Sequence, residues 1–167
     1  MPRIAVIITT YNWPAALEAV LAGYLSQLHP PDELIIADDG STDETREVID
    51  RFRNQAPFPV KHVWHADQGF RAGAIRNRAI QASDSDYLVF TDGDCIPTPG
   101  FLKAHLRLAE TGWFLSGNRV LLSEYFSRDV LQQKVPVSSW TWSDWIHARR
   151  RRQINRLSPL FRIPTGA

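Results

Sequence analysis

Asp92-Gly-Asp94 sets two carboxylates at i and i+2 around a glycine that lets the backbone turn tightly. Carboxylates so spaced can converge on one hard divalent cation. A Mg²⁺ or Mn²⁺ held by only one or two of them completes its shell with water and phosphate oxygens. The pair therefore predicts a diphosphate-bearing ligand rather than a cation alone. Three further polar clusters could face the same ligand: Thr9-Thr-Tyr-Asn12, Asp38-Asp-Gly-Ser41 and Asp67-Gln-Gly-Phe70. Turns and caps use the same residue types, and Ser41, Thr42 and Asp43 are read as caps. Asp38 and Asp39 differ, because two carboxylates abutting an apolar run repel each other unless something positive joins them.

These clusters each follow a segment with strand character. Ile4–Thr10 is a β-branched run of the kind buried on both faces of a sheet, and Leu34–Ala37, Val60–Trp64 and Tyr87–Thr91 read as three more strands. Helical spacing separates them. Leu17, Val20, Leu21, Leu25 and Leu28 follow Pro14, with Asn12 as the expected N-cap and Pro30-Pro31 as the stop. Val48, Ile49 and Phe52 mark a second helix capped by Thr42 or Asp43, and Arg71–Ala82 a third. Strands alternating with helices imply an α/β fold with a mainly parallel sheet flanked by helices. In such sheets ligands sit beyond the carboxyl ends of the strands, where the topology switches. A short helix over Pro99–Thr111 and a strand within Trp113–Leu122 are expected after that.

The chain has 167 residues, enough for one domain with a real core. No apolar run approaches the roughly 20 residues of a membrane span, and the N-terminus lacks the apolar stretch of a signal peptide. The expected location is cytoplasmic. One cysteine, Cys95, excludes an internal disulfide and a multi-cysteine metal site, and it is read as a small buried hydrophobe. His29, His62, His65, His105 and His147 show no zinc-ligand spacing and are read as packing or surface residues. The absence of Gly-x-Gly-x-x-Gly after the first strand, of a P-loop and of a Gly-x-Ser-x-Gly elbow disfavours dinucleotide, P-loop and serine-hydrolase chemistry. Charge is unevenly spread: residues 1–100 carry 8 Lys/Arg against 14 Asp/Glu, and residues 101–167 carry 11 against 4. The two parts are expected to meet different partners.

Ile7-Ile-Thr-Thr-Tyr-Asn12, Ile35-Ile-Ala-Asp-Asp-Gly-Ser-Thr-Asp43 and Val89-Phe-Thr-Asp-Gly-Asp94 resemble, in order and spacing, the three signature segments of family 2 glycosyltransferases with the GT-A fold. Gly69-Phe-Arg-Ala-Gly-Ala-Ile-Arg-Asn-Arg-Ala79 resembles that family's Arg/Asn helix, in the galactosyltransferase and chondroitin-polymerase-like branch. The resemblance covers about residues 3–122. It implies that Thr9 and Tyr11 line the base and ribose pocket, and that Asp39 accepts a hydrogen bond from the uracil N3–H. It implies that Arg71 reaches the base or diphosphate, while Arg76 and Asn77 shape the pocket. Asp92 would contact the ribose or a metal-bound water, and Asp94 would be the main ligand of a Mn²⁺ or Mg²⁺ shared with Asp92. The implied reaction moves a sugar, with inversion, from a UDP-sugar to a saccharide or lipid-linked acceptor in polysaccharide or lipopolysaccharide synthesis.

Inversion also needs a general base on the face opposite the leaving group. The family carries it well beyond the metal motif, in a Glu-Asp or Trp-Gly-x-Asp-like segment. Here the acids after Asp94 are Glu110, Glu124, Asp129 and Asp144, none in that context. Pro164-Thr-Gly-Ala167 resembles the lead into a later strand of the family, so a C-terminally truncated chain is expected. Its residues 1–95 would be the nucleotide-sugar-binding half. Residues 96–167 would be a partial, basic, Trp-rich acceptor-side region, one domain overall, with no catalytic base assigned. Two other readings stay open: a nucleotide-binding module without catalysis, and a sugar-nucleotide nucleotidyltransferase, whose glycine-rich loop is missing after Thr9. Trp140, Trp142 and Trp145 with Arg149–Arg152 suit sugar stacking or peripheral contact with an anionic membrane. They equally suit a helix packing its tryptophans on a core. No nucleic-acid module is recognisable, so none is expected as partner.

Overall fold

The computed structural model describes residues 2–160. The chain forms two compact units, Met1–Phe114 and Leu115–Ala167. The first holds four parallel strands in the order β3-β2-β1-β4, with β1 Ile4–Thr10, β2 Glu33–Asp38, β3 Val60–Trp64 and β4 Tyr87–Asp92. Helices α1 Pro14–Leu25, α2 Asp43–Arg53 and α3 Ala72–Gln81 connect them, and α4 Phe101–Leu108 follows. Strand periodicity sorts the core. Ile4, Val6, Ile8, Leu34 and Ile36 face a cluster with Leu17, Leu21, Ile49 and Leu102, while Ile7, Ile35 and Ala37 meet Ile75 and Ala79 of α3. Every residue from Ile4 to Ile8 is fully buried, which explains why β1 reads as a continuous apolar run.

The chain runs outward from β1 through β2 to β3 and then returns to β4 on the other side of β1. This reversal creates a switch point where β1 and β4 lie side by side, with Thr9 paired to Asp92. The opposite end of the sheet is tied by a buried carboxylate. Glu33 pairs with Lys61 Nζ at 2.7 Å and accepts from Ser83 Oγ, Ser85 Oγ and the Asp84 N–H. Burial pushes its carboxyl up, but these donors outweigh burial and hold it at about 2, against an ordinary 4.5. A lowered folded-state value means stability that is fully present above the unfolded value and lost as pH falls through the folded one. The thermal-midpoint gap between the wild type and Glu33→Gln is therefore expected to be widest near neutrality and to close as pH falls from 4.5 toward about 2. A gap constant across that range contradicts the assignment.

Several local expectations are corrected. Trp13, not Asn12, stands at the N-cap of α1. Asn12 has φ 43° and its Oδ1 accepts from the Thr42 N–H at 2.9 Å. Asparagine tolerates this left-handed backbone better than most residues, and it links the loop after β1 to the start of α2. The first helix ends at Leu25, so Leu28 lies beyond it and is exposed. The helix expected over Pro99–Thr111 covers only Phe101–Leu108. Residues 113–122 form no strand. An extended apolar run needs a ladder partner, and here only Leu122 finds one, in a single antiparallel bridge to Ile154.

The second unit holds α5 Glu124–Gln132 and α6 Trp142–Arg150. Phe126, Trp140 and Trp145 pack together, with ring centroids 5.5 Å and 4.9 Å apart for the two pairs. Two of the three tryptophans are thus packing residues, while Trp142 is exposed. A capping box of Thr141 and Asp144 starts α6. Its end is a Schellman turn: the Gln153 N–H bonds Ala148 O and the Arg152 N–H bonds Arg149 O. Arg152 occupies the left-handed position at φ 57°, where glycine is preferred. Lys134 holds the equivalent position after α5, at φ 51°. Arg162 and Pro164–Ala167 lie outside the described residues.

Candidate active site

A cleft of ≈ 390 Å³ opens at the carboxyl ends of β1 and β4, lined by Thr9, Thr10, Tyr11, Trp13, Asp39, Phe70, Ala72, Arg76, Asp92, Gly93 and Asp94. Five residues singled out from the sequence, Thr9, Tyr11, Asp39, Arg76 and Asp92, meet here with the proposed metal ligand Asp94. Arg71 and Asn77 are not among the lining residues. The Arg71 guanidinium is hydrogen-bonded to Gln68 Oε1, and its backbone N–H reaches Asp39 Oδ2 at 2.8 Å. Arg71 thus touches the site through its main chain.

Backbone geometry fixes the walls. The Asp39 N–H bonds Thr10 O at 3.0 Å, and the Gly93 N–H bonds Thr9 O at 2.7 Å, so both acidic loops are pinned to the end of β1. A Cβ at Gly93 would lie 3.0 Å from the Thr10 side chain. Gly40, at φ 99°, packs against the backbone of Asp67, where a Cβ would come within 2.6 Å of its Cα. Only glycine allows this approach. Asp67 in turn accepts from Tyr11 Oη at 2.8 Å and from the Gly69 N–H at 2.9 Å. The amide and phenol bonds hold its carboxyl below the usual range. Tyr11 is thereby positioned, with half its surface open to a ligand.

The adjacent carboxylates Asp38 and Asp39 are both buried, and each has a histidine from the β3 side. His62 Nε2 lies 2.9 Å from Asp38 Oδ2, and His65 Nε2 lies 2.7 Å from Asp39 Oδ1. The two histidines read from the sequence as packing or surface residues are instead the groups that make the acidic pair tolerable. Burial raises the Asp38 carboxyl, but bonds from His62 and Ser41 overcome it and lower it. Asp38 also accepts from the Ser41 N–H, a turn role. Asp39 lines the cleft, and each of its oxygens, engaged once, keeps a lone pair for a ligand.

Arg76 joins the two strand ends. Its Nε donates to Thr9 Oγ1 at 2.8 Å and its Nη2 to Asp92 Oδ1 at 3.0 Å. Asp92, Asp94 and Cys95 bring donor atoms within 4.8 Å of one another. Cys95 is only half-buried, and its Sγ donates to Asp94 Oδ1 at 3.3 Å, so it belongs to the acidic cluster rather than the core. Two exposed carboxylates beside open space suit a hard divalent cation whose remaining ligands come from phosphate and water. Among the later acids, Asp144 is committed to its cap and Glu124 to Arg128.

The fold is that of glycosyltransferases of the GT-A class. The mannosyltransferase PcManGT from Pyrobaculum calidifontis, solved with GDP-Man and Mn²⁺, superposes with TM-score 0.59 at 29% identity over 66% of this chain and 33% of that one. S. aureus TarS in complex with UDP-GlcNAc gives TM-score 0.55 at 26% identity, over 63% of this chain and 30% of that one. In sequence, hyaluronan synthase from Pasteurella multocida is 34% identical over 108 residues, 64% of this chain and 11% of that protein. The family model for glycosyl transferase family 2 matches residues 5–166, and the chain belongs to that family. It spans 11% to 40% of the length of the curated relatives compared. No helix among the described residues is long and apolar enough to cross a membrane.

Proposed function

We propose that this chain forms the donor-binding part of an inverting transferase that takes a sugar from UDP and passes it to a saccharide or lipid-linked acceptor, in cell-surface polysaccharide or lipopolysaccharide synthesis. The observation that carries this reading is the convergence of Tyr11, Asp39, Arg76, Asp92 and Asp94 on one cleft. The hyaluronan synthase likeness supports the polymerase-like branch.

Each residue's part follows from its chemistry. Tyr11 offers an amphipathic ring face to a base. The Asp39 carboxylate accepts from a ring N–H, which uracil and guanine present on their pairing edge and adenine and cytosine do not. The donors named with the two structural neighbours, GDP-Man and UDP-GlcNAc, both carry such a base. Asp92 and Asp94 would hold a Mn²⁺ or Mg²⁺, which when bound supplies positive charge to the diphosphate leaving group. Arg76 adds a fixed cation to that side of the cleft and restrains Asp92. The acceptor's proton needs a base that none of these residues supplies.

A titration series with UDP, CDP, GDP and ADP in the presence of Mn²⁺ tests the donor assignment. UDP is expected to bind at least tenfold tighter than CDP or ADP, since a charge-assisted hydrogen bond contributes about 1.5–3 kcal/mol. Equal affinities would remove Asp39 from base recognition, and GDP as the tightest ligand would replace uridine as the donor base.

A further inference from the structure

The second unit carries a feature that donor binding does not use. Arg149, Arg150, Arg151 and Arg152 follow one another at the end of α6, all exposed. None of the four guanidiniums has a hydrogen bond or ion pair among the described residues. Asp144, the nearest acid in sequence, is engaged by Thr141, and Glu124 by Arg128. Cations in the last turn of a helix are favoured by its dipole, which accounts for Arg149 and Arg150. It does not account for Arg152, whose left-handed backbone at φ 57° sits where glycine is preferred.

The same helix presents apolar surface beside this charge. Trp142 and Ile146 are 52% and 42% exposed and lie four residues apart, and Arg149 and Arg150 come three and four residues later. Helical spacing puts these residues on one face. Tyr125 is half exposed, and its hydroxyl donates to Arg151 O at 3.1 Å, which brings a second amphipathic ring to the cluster. Indole and phenol rings suit the headgroup level of a bilayer, and arginines suit its anionic lipids. A soluble polyanion would match the charge but leave Trp142, Ile146 and Tyr125 in water.

We propose that this face of α6 docks peripherally on an anionic bilayer, with the helix lying in the surface plane. Each arginine near such a surface contributes about fivefold in affinity, so replacing four removes several hundredfold. Flotation of the full chain with phosphatidylcholine vesicles, with and without phosphatidylglycerol, tests this. Binding is expected only to the phosphatidylglycerol-containing vesicles, weakening as salt rises. It should be lost when Arg149, Arg150, Arg151 and Arg152 are all changed to Gln, and it should fall several-fold in the Trp142→Ser, Ile146→Ser double variant. Arg152→Gly serves as a folding-safe control: relieving the left-handed backbone should raise the thermal midpoint while vesicle affinity drops about fivefold. No flotation of the folded wild type, unchanged flotation of the four-Gln variant, or capture by heparin without vesicle binding would overturn the proposal. The assay contains no nucleotide, so its outcome is independent of the donor site.

Discussion

Asp39→Asn is expected to leave the fold intact and to weaken UDP binding ten- to a hundredfold. The fold survives because the environment can adapt. The new amide oxygen can accept from the Arg71 N–H, and the amide NH₂ can donate to His65 Nε2 once the ring carries its proton on Nδ1. That nitrogen is buried without a partner among the described residues, so the tautomer change breaks no bond. The negative charge and one of the two carboxylate oxygens are what the substitution removes. A hydrogen bond to a charged acceptor contributes about 1.5–3 kcal/mol, which sets the size of the loss. Discrimination against CDP should narrow at the same time, because a carboxylate repels the cytosine N3 lone pair and a neutral amide does so less. Titration calorimetry with both nucleotides and circular dichroism of the variant check this. An unchanged UDP affinity would separate Asp39 from the base.

Arg76→Met should move two affinities in opposite directions. The guanidinium holds Asp92 at 3.0 Å and so competes with a cation for that carboxylate. Without it, Mn²⁺ alone should bind several-fold tighter, the usual effect of removing a like charge near a partly exposed site. UDP binding in the presence of Mn²⁺ should fall at least tenfold, since the cleft loses a fixed cation and Thr9 loses its donor. The helix should persist, because Ile75 and Ala79 anchor α3 to the sheet. Manganese binding followed by electron paramagnetic resonance, beside UDP titration, reads both quantities. A fall in both, or a change in neither, contradicts the bridging role.

β1 was legible because burial on both faces writes itself as a β-branched run, while the half-buried β3 showed only strand character; Ile4–Thr10 and Val60–Trp64 appear with the bounds read from the sequence. The ends of those strands were legible as polar clusters, and the need for positive charge near Asp38 and Asp39 followed from electrostatics. Which groups answer that need did not. His62 and His65 lie 24 and 26 residues beyond their carboxylates. Only the parallel register of β3 on β2, with His62 level with Ile36, brings them into reach. The paired acids beside an apolar strand were the signal, and two histidines in and just after the next strand were the available answer. Asn12 was misread for a related reason. Its type suits a cap, but its left-handed backbone turns the amide toward the neighbouring loop, a choice made by Thr42 and Ser41 rather than by its own segment. The expected strand within Trp113–Leu122 failed because apolar spacing cannot supply a ladder partner.

Calorimetric titration of UDP with and without Mn²⁺, on the chain and on Asp94→Ala, tests the central claim most directly. Binding that requires Mn²⁺ and disappears in the variant, with both samples folded, is the result predicted here. No binding by the folded wild-type chain, or equal binding without the cation and in Asp94→Ala, would contradict it.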